Sequence, residues 1–130
     1  MSSVKDVFEK TGKEVLKALL SEVIIPLFEI YLRRHTYKDF KYAYKHGIGL
    51  FEAINKFFPE LKPVVKASIK IARRYRNTVM KYWDNDRIVS EVCSRLYSEG
   101  FYLTDDEVEF IYKEVERVRR IIAGEEELPL

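Results

Sequence analysis

The chain contains no glutamine, only three asparagines (Asn55, Asn77 and Asn85) and a single cysteine, Cys93. One cysteine excludes an intrachain disulfide and any paired-cysteine metal or redox motif. Four prolines and five glycines are too few for the many turns of a β-sandwich. Long hydrophobic runs are missing too. The most lipid-like stretch, residues 23–28, is interrupted by Pro26 and followed by Glu29, whereas a membrane span needs roughly 20 apolar residues. Residues 1–10 are charged and lack the apolar core of a signal peptide, so a soluble chain is expected. Catalytic motifs are equally scarce. His35 and His46 have no neighbouring carboxylate triad, and there is no HxxxH pair, glycine-rich phosphate loop or GxSxG elbow. With no acid, base and nucleophile set in view, a non-enzymatic protein without metal or cofactor is expected.

What is present is apolar surface and unevenly placed charge. Apolar residues make up 47 % of the 130, enough for one real core and against disorder of the whole chain. One domain over residues 1–124 is expected, followed by an acidic, mobile tail at 125–130. Charged residues reach 34 % while amides and sulfur are few, a balance that resembles thermophile proteins. Residues 61–83 hold no Asp or Glu but seven cations: Lys62, Lys66, Lys70, Arg73, Arg74, Arg76 and Lys81. Residues 1–60 hold ten basic and eight acidic side chains, and residues 84–130 hold six basic and thirteen acidic. The net charge of +2 therefore conceals a chain polarised along its length, which points to a charged macromolecular partner.

Helical periodicity dominates, and no segment alternates with period two. A first helix carries Val4, Val7, Phe8, Val15, Leu16, Leu19, Leu20 and Val23 on its inner side, with Gly12 weakening it and Pro26 predicting a break or kink near residues 21–26. Thr36 and Asp39 suggest a capping box, and residues 47–49 form either a turn or part of a continuous helix. Leu61, Val65, Ser68, Ala72, Tyr75, Val79 and Tyr82 recur as a heptad seam, predicting one long helix with Pro63 in its first turn. Asp84 to Asp86 would stop that helix and cap the next. Thr104 and Glu107 form a full capping box for a last helix with Val108, Ile111, Val115, Val118 and Ile122 facing inward and Gly124 closing it. The fold class is all-α, an antiparallel bundle of four to six helices. Seams left exposed would also drive homo-oligomerisation.

Three constellations carry candidate chemistry. Lys62, Lys66, Lys70, Arg73 and Lys81, flanked by Arg74 and Arg76, form a ridge suited to a phosphate backbone, or else a solvated face paired with the acidic helices of the same bundle. Residues 33–46 interleave cations with aromatics, and Arg33, Arg34 and Lys38 could aid the ridge; an ordinary amphipathic helix explains the same pattern. Residues 47–54 are reminiscent of a fusion peptide, which would need an exposed apolar face. An opposing acidic partner face comprises Asp105, Asp106, Glu109, Glu116, Glu125, Glu126 and Glu127. Asp105, Asp106, Glu107 and Glu109 could chelate a divalent ion, but a helix start accounts for them more simply. Cys93, beside Val89 and Leu96, reads as a buried inert thiol.

The glutamine-free, tyrosine- and charge-rich composition, the long opening helix over residues 3–34 and the final helix capped at Thr104–Glu107 together resemble the small helical proteins of viruses infecting hyperthermophilic archaea. They are similar in particular to the related pair from the Acidianus two-tailed virus, a virion protein and an inhibitor of host RNA polymerase. The likeness rests on general features, so no family residue is transferred. It implies a helical bundle with a non-enzymatic role in the host cytoplasm or the virion. Either the basic ridge engages nucleic acid, or the acidic C-terminal region docks on RNA polymerase in place of its nucleic acid, and both would regulate transcription. The alternative is a virion structural protein assembled through the heptad seams.

Overall fold

The computed structural model describes residues 12–34 and 45–130, which form helices and turns with no strand among the described residues. Helix α1 runs from Gly12–Leu19 through a π turn, Leu20–Ile24, into Ile25–Arg34. Short helix α2 spans Leu50–Phe57, and a 3₁₀ turn at Pro59–Leu61 leads to α3, Lys62–Arg74. Then follow α4 (Arg76–Tyr82), α5 (Asn85–Ser98) and α6 (Asp105–Ala123). The all-α bundle expected from periodicity is thus observed.

Pro26 bends the rule without breaking the helix. Its ring nitrogen has no hydrogen to offer the carbonyl four residues back. The chain answers by widening: the Ile25 amide donates to the Leu20 carbonyl, the five-residue step of a π turn. Leu20, Val23 and Ile24 stay buried through it, so the apolar stripe survives. Residues 47–49 resolve as a turn, with Gly47 at φ 67°, where a side chain would be strained. The Thr36–Asp39 capping box lies outside the described residues.

The helix predicted over the whole 61–82 seam is in fact two. Tyr75, at φ −105° and ψ 25°, separates α3 from α4. Val65, Ser68, Ala72 and Val79 are buried as the seam requires, while Tyr82 emerges partly into solvent. The bend lets α4 lie against the start of α1, and Gly12 is what admits it. A Cβ there would collide with Thr78 Cγ2 and come within 2.9 Å of Tyr82 Cε2. Gly12→Ala is therefore expected to destabilise the fold by about 1–3 kcal/mol, where an open helix site would gain about 1 kcal/mol. A thermal midpoint at or above that of the unaltered protein would contradict this close approach.

Helix α6 occupies the centre, packing on α3, α4 and α5. Ile111, Val115, Val118 and Ile122 are buried as predicted, and Phe110 and Ile121 join them. Its ends are set by local chemistry. Thr104 Oγ1 accepts from the Glu107 amide and Glu107 Oε1 accepts from the Thr104 amide, both at 3.2 Å, while Gly124 at φ 82° terminates the helix. Asp84 Oδ1 likewise accepts from the Asp86 amide at 3.0 Å to start α5. Residues 125–130, expected as a mobile tail, fold back on the bundle. Asn55 donates to the Pro129 carbonyl at 2.7 Å, and Leu128 and Leu130 pack against the core. Apolar side chains in that segment explain the docking, which its acidic residues concealed.

Candidate nucleic-acid interface

Helix α3 turns Val65, Ser68, Ile69 and Ala72 inward, so the opposite side of the helix must face water. Lys66, Lys70 and Arg74 occupy that side at successive i, i+4 steps, spanning about 12 Å at 1.5 Å per residue. All three are exposed, Arg76 and Lys81 beyond the bend are exposed as well, and Lys62 is half-buried at the flank. Among the described residues, none of Lys62, Lys66, Lys70, Arg74 and Arg76 forms an ion pair. Lys81 rests its ammonium 5.7 Å from the Tyr82 ring centroid.

Arg73 is removed from the ridge. Its Nε donates to the Ile121 carbonyl at 2.8 Å and its Nη2 to the Glu126 carbonyl at 3.0 Å. The Ile121 carbonyl stands in the last turn of α6, where the helix dipole favours a cation, and Glu126 lies just past the helix end. Arg73 thus clasps α3 to α6 and has little left for an external phosphate. Of Arg33 and Arg34 only the backbone is described, at the end of α1, and Lys38 lies outside the described residues along with most of the aromatic stretch 33–46.

The acidic groups do not form one face. Asp105 and Asp106 are exposed in the first turn of α6, and Glu125 and Glu127 are exposed past its end, about 28 Å away by helix rise. Glu109 pairs with Lys113 at 3.3 Å, and Glu116 is half-buried. Glu126 is taken inward, bonded to Arg117 Nε at 2.8 Å and paired with Arg120 at 3.4 Å. Among the described residues no group of three or more His, Cys, Asp or Glu side chains converges to hold a metal ion.

Arg117 is the centre of a charge cluster that no spacing in the sequence announced. It donates to both Glu52 oxygens, at 2.8 and 2.6 Å, as well as to Glu126, and its guanidinium lies 5.8 Å from the Phe51 ring centroid. Glu114 Oε2 stands 4.0 Å from Arg117 Nη1 and is buried without a hydrogen-bond partner. Glu114 also accepts from the Leu50 backbone, supplying the cap that Gly49 cannot. A Cβ at Gly49 would lie 2.5 Å from Glu114 Oε1 and 2.8 Å from Glu52 Oε2, so these carboxylates would have to shift to admit one. Burial pushes the Glu114 carboxyl up to about 7, against the pull of Arg117. Burial would also raise Glu52, but its hydrogen bonds from Arg117 outweigh that and hold it below the ordinary value. The Arg117 hydrogen bond, helped by Arg120, likewise lowers Glu126.

Two other expectations resolve at this level. Leu50, Phe51, Ala53 and Ile54 are buried, so residues 47–54 present no apolar face to a membrane. No helix among the described residues is long and apolar enough to cross one. Cys93 is half-buried rather than fully enclosed, and desolvation raises its thiol, which disfavours the thiolate. No protein-family model, curated protein or solved structure matches the chain.

Proposed function

We propose that the protein is a non-enzymatic nucleic-acid-binding protein that engages a phosphate backbone through α3 and thereby regulates transcription. The observation that carries this is the row Lys66, Lys70 and Arg74, exposed and without ion pairs among the described residues. Among the described residues, an intramolecular partner is seen for Arg73, made of backbone carbonyls, and for Lys81, the Tyr82 ring, but not for this row. Docking on a polymerase through acidic residues is less well supported, because those groups sit at opposite ends of α6. Assembly through the heptad seams is likewise less favoured, since Val65, Val79, Val115 and Ile122 are spent inside the bundle. The resemblance to archaeal viral proteins suggests a setting, the cytoplasm of an infected host.

The test is binding to duplex and single-stranded DNA as a function of salt. Three phosphate contacts give a log–log slope of about −2.7 on duplex DNA, so a fourfold rise in salt should weaken binding roughly 40-fold. Replacing Lys66, Lys70 and Arg74 together by Ala should flatten the slope by about one per cation while leaving the fold intact. Absence of binding at low salt, or an unchanged slope in the triple variant, would remove the proposal.

A further inference from the structure

A second cationic site lies away from the α3 ridge, in a cleft of about 220 Å³ where the start of α1, the end of α4 and the first turns of α5 meet. Its rim holds Lys13 and Lys17, one helical turn apart on α1, and Arg87 on α5. All three are exposed, and none has an ion pair among the described residues. The floor is apolar, made by Leu16 and Leu20, and one wall is Tyr82. Tyr82 is 37 % exposed, and its ring passes close to Gly12 at the start of α1. Glu91, half-buried one turn beyond Arg87, is the single carboxylate in the lining.

Each component answers a part of one kind of molecule. Three cations against one carboxylate leave the cleft at +2, which complements the charge of about −1.5 to −2 on a phosphate monoester near neutral pH. An aromatic wall over an aliphatic floor accepts a flat ring by stacking. A carboxylate inside a cationic site would repel a bare anion, but it can accept hydrogen bonds from an exocyclic amino group, as acidic side chains do with cytosine. The cleft is smaller than the roughly 300–1,000 Å³ of drug-sized pockets, which suits one ring and its phosphate rather than a strand.

We propose that this cleft binds a single nucleotide bearing a terminal phosphate and an amino-substituted base, with Lys13, Lys17 and Arg87 on the phosphate, Tyr82 against the base and Glu91 accepting from its amine. The ligand is either a free nucleoside monophosphate or the phosphorylated end of a strand, since both present the same chemistry. No residue of the Lys66–Lys70–Arg74 row lines the cleft, so either site can fail without the other.

The test is titration of the full-length protein with cytidine monophosphate, uridine monophosphate and inorganic phosphate, followed by NMR shifts of residues around the cleft. Cytidine monophosphate should bind at least about tenfold more tightly than either competitor, the loss expected when a charged hydrogen-bond acceptor goes unused. Arg87→Ala and Lys17→Ala should each weaken it severalfold, and Glu91→Gln should erase the preference over uridine monophosphate. A thermal melt checks that these surface variants remain folded. A 5′-phosphorylated oligonucleotide compared with its 5′-hydroxyl counterpart separates the strand end from the free nucleotide. No shifts at millimolar cytidine monophosphate, equal affinity for inorganic phosphate, or unchanged affinity in both cation variants would overturn the proposal.

Discussion

Glu114→Gln is expected to stabilise the protein by about 3 kcal/mol at pH 8 and by almost nothing at pH 4.5, the reverse of what losing a polar contact usually does. The sign follows from the proton. In the unfolded chain this carboxyl releases its proton near 4.5, and in the bundle it holds it to about 7. Between those values the folded state binds a proton that the unfolded state does not, so its relative contribution is fully present below 4.5. That contribution is lost as pH rises through about 7. Above that range the folded protein carries an ionised carboxylate whose Oε2 lacks a hydrogen-bond partner. Gln keeps an acceptor for the Leu50 amide and carries no charge. Urea midpoints of both proteins at pH 5 and pH 8 measure the effect. Glu52 and Glu126 act in the opposite direction, because their lowered values give stability that is present above the ordinary carboxylate range and lost as pH falls below it. The unaltered protein should therefore be most stable in mildly acid solution, and equal differences between the two proteins at both pH values would contradict the assignment.

Arg117→Ala should be the most damaging surface-accessible substitution, costing about 3 kcal/mol or more. Its side chain is only 21 % exposed and holds Glu52 and Glu126, with Glu114 close by, so removing it leaves three carboxylates crowded around an uncompensated space. The loss is dominated by the partners left behind rather than by the ion pairs themselves. Combining Arg117→Ala with Glu52→Gln and Glu114→Gln should thus recover most of the stability. Arg117→Lys keeps the charge but cannot bond both Glu52 oxygens and Glu126 at once, and an intermediate loss of about 1 kcal/mol is expected. Chemical denaturation of the series checks the order. A triple variant as unstable as Arg117→Ala alone would mean that packing on Phe51, not charge, sets the cost.

Local signals in the sequence translated well where the physics is local. The Thr104–Glu107 box, the Asp84 cap and the Gly124 stop each depend on a few neighbouring residues, and each is found where the sequence indicates. The inward row of α6 was equally legible, since a 3.6-residue period leaves little choice of face. Pro26 was read correctly as a disturbance but not as a π turn, because only the surrounding core decides whether a helix breaks or widens. The division of the basic helix at Tyr75 was hidden by a seam that continues unbroken in letters across the bend. Spacing placed Arg73 with the outward lysines, yet its fate depended on the end of α6, 48 residues later. The Arg117–Glu52 pair, 65 residues apart, left no trace at all. Among the candidate interface residues, Lys66 and Lys70 were readable as outward-facing, whereas Arg74, expected only at the flank, takes the place of Arg73 in their row.

The central place of α6 also dictates when the molecule can take shape. Phe28 and Tyr31 of α1 pack on Phe110, which belongs to a helix starting only at Asp105. During synthesis at roughly 5–20 residues per second, these two rings wait on the order of ten seconds before that helix emerges. Until then Phe28 and Tyr31, all but invisible to solvent in the finished bundle, lack part of their cover. The contacts of α1 with α4 and α5 can form earlier, so the aromatic seat around Phe110 is the part of the core that closes last.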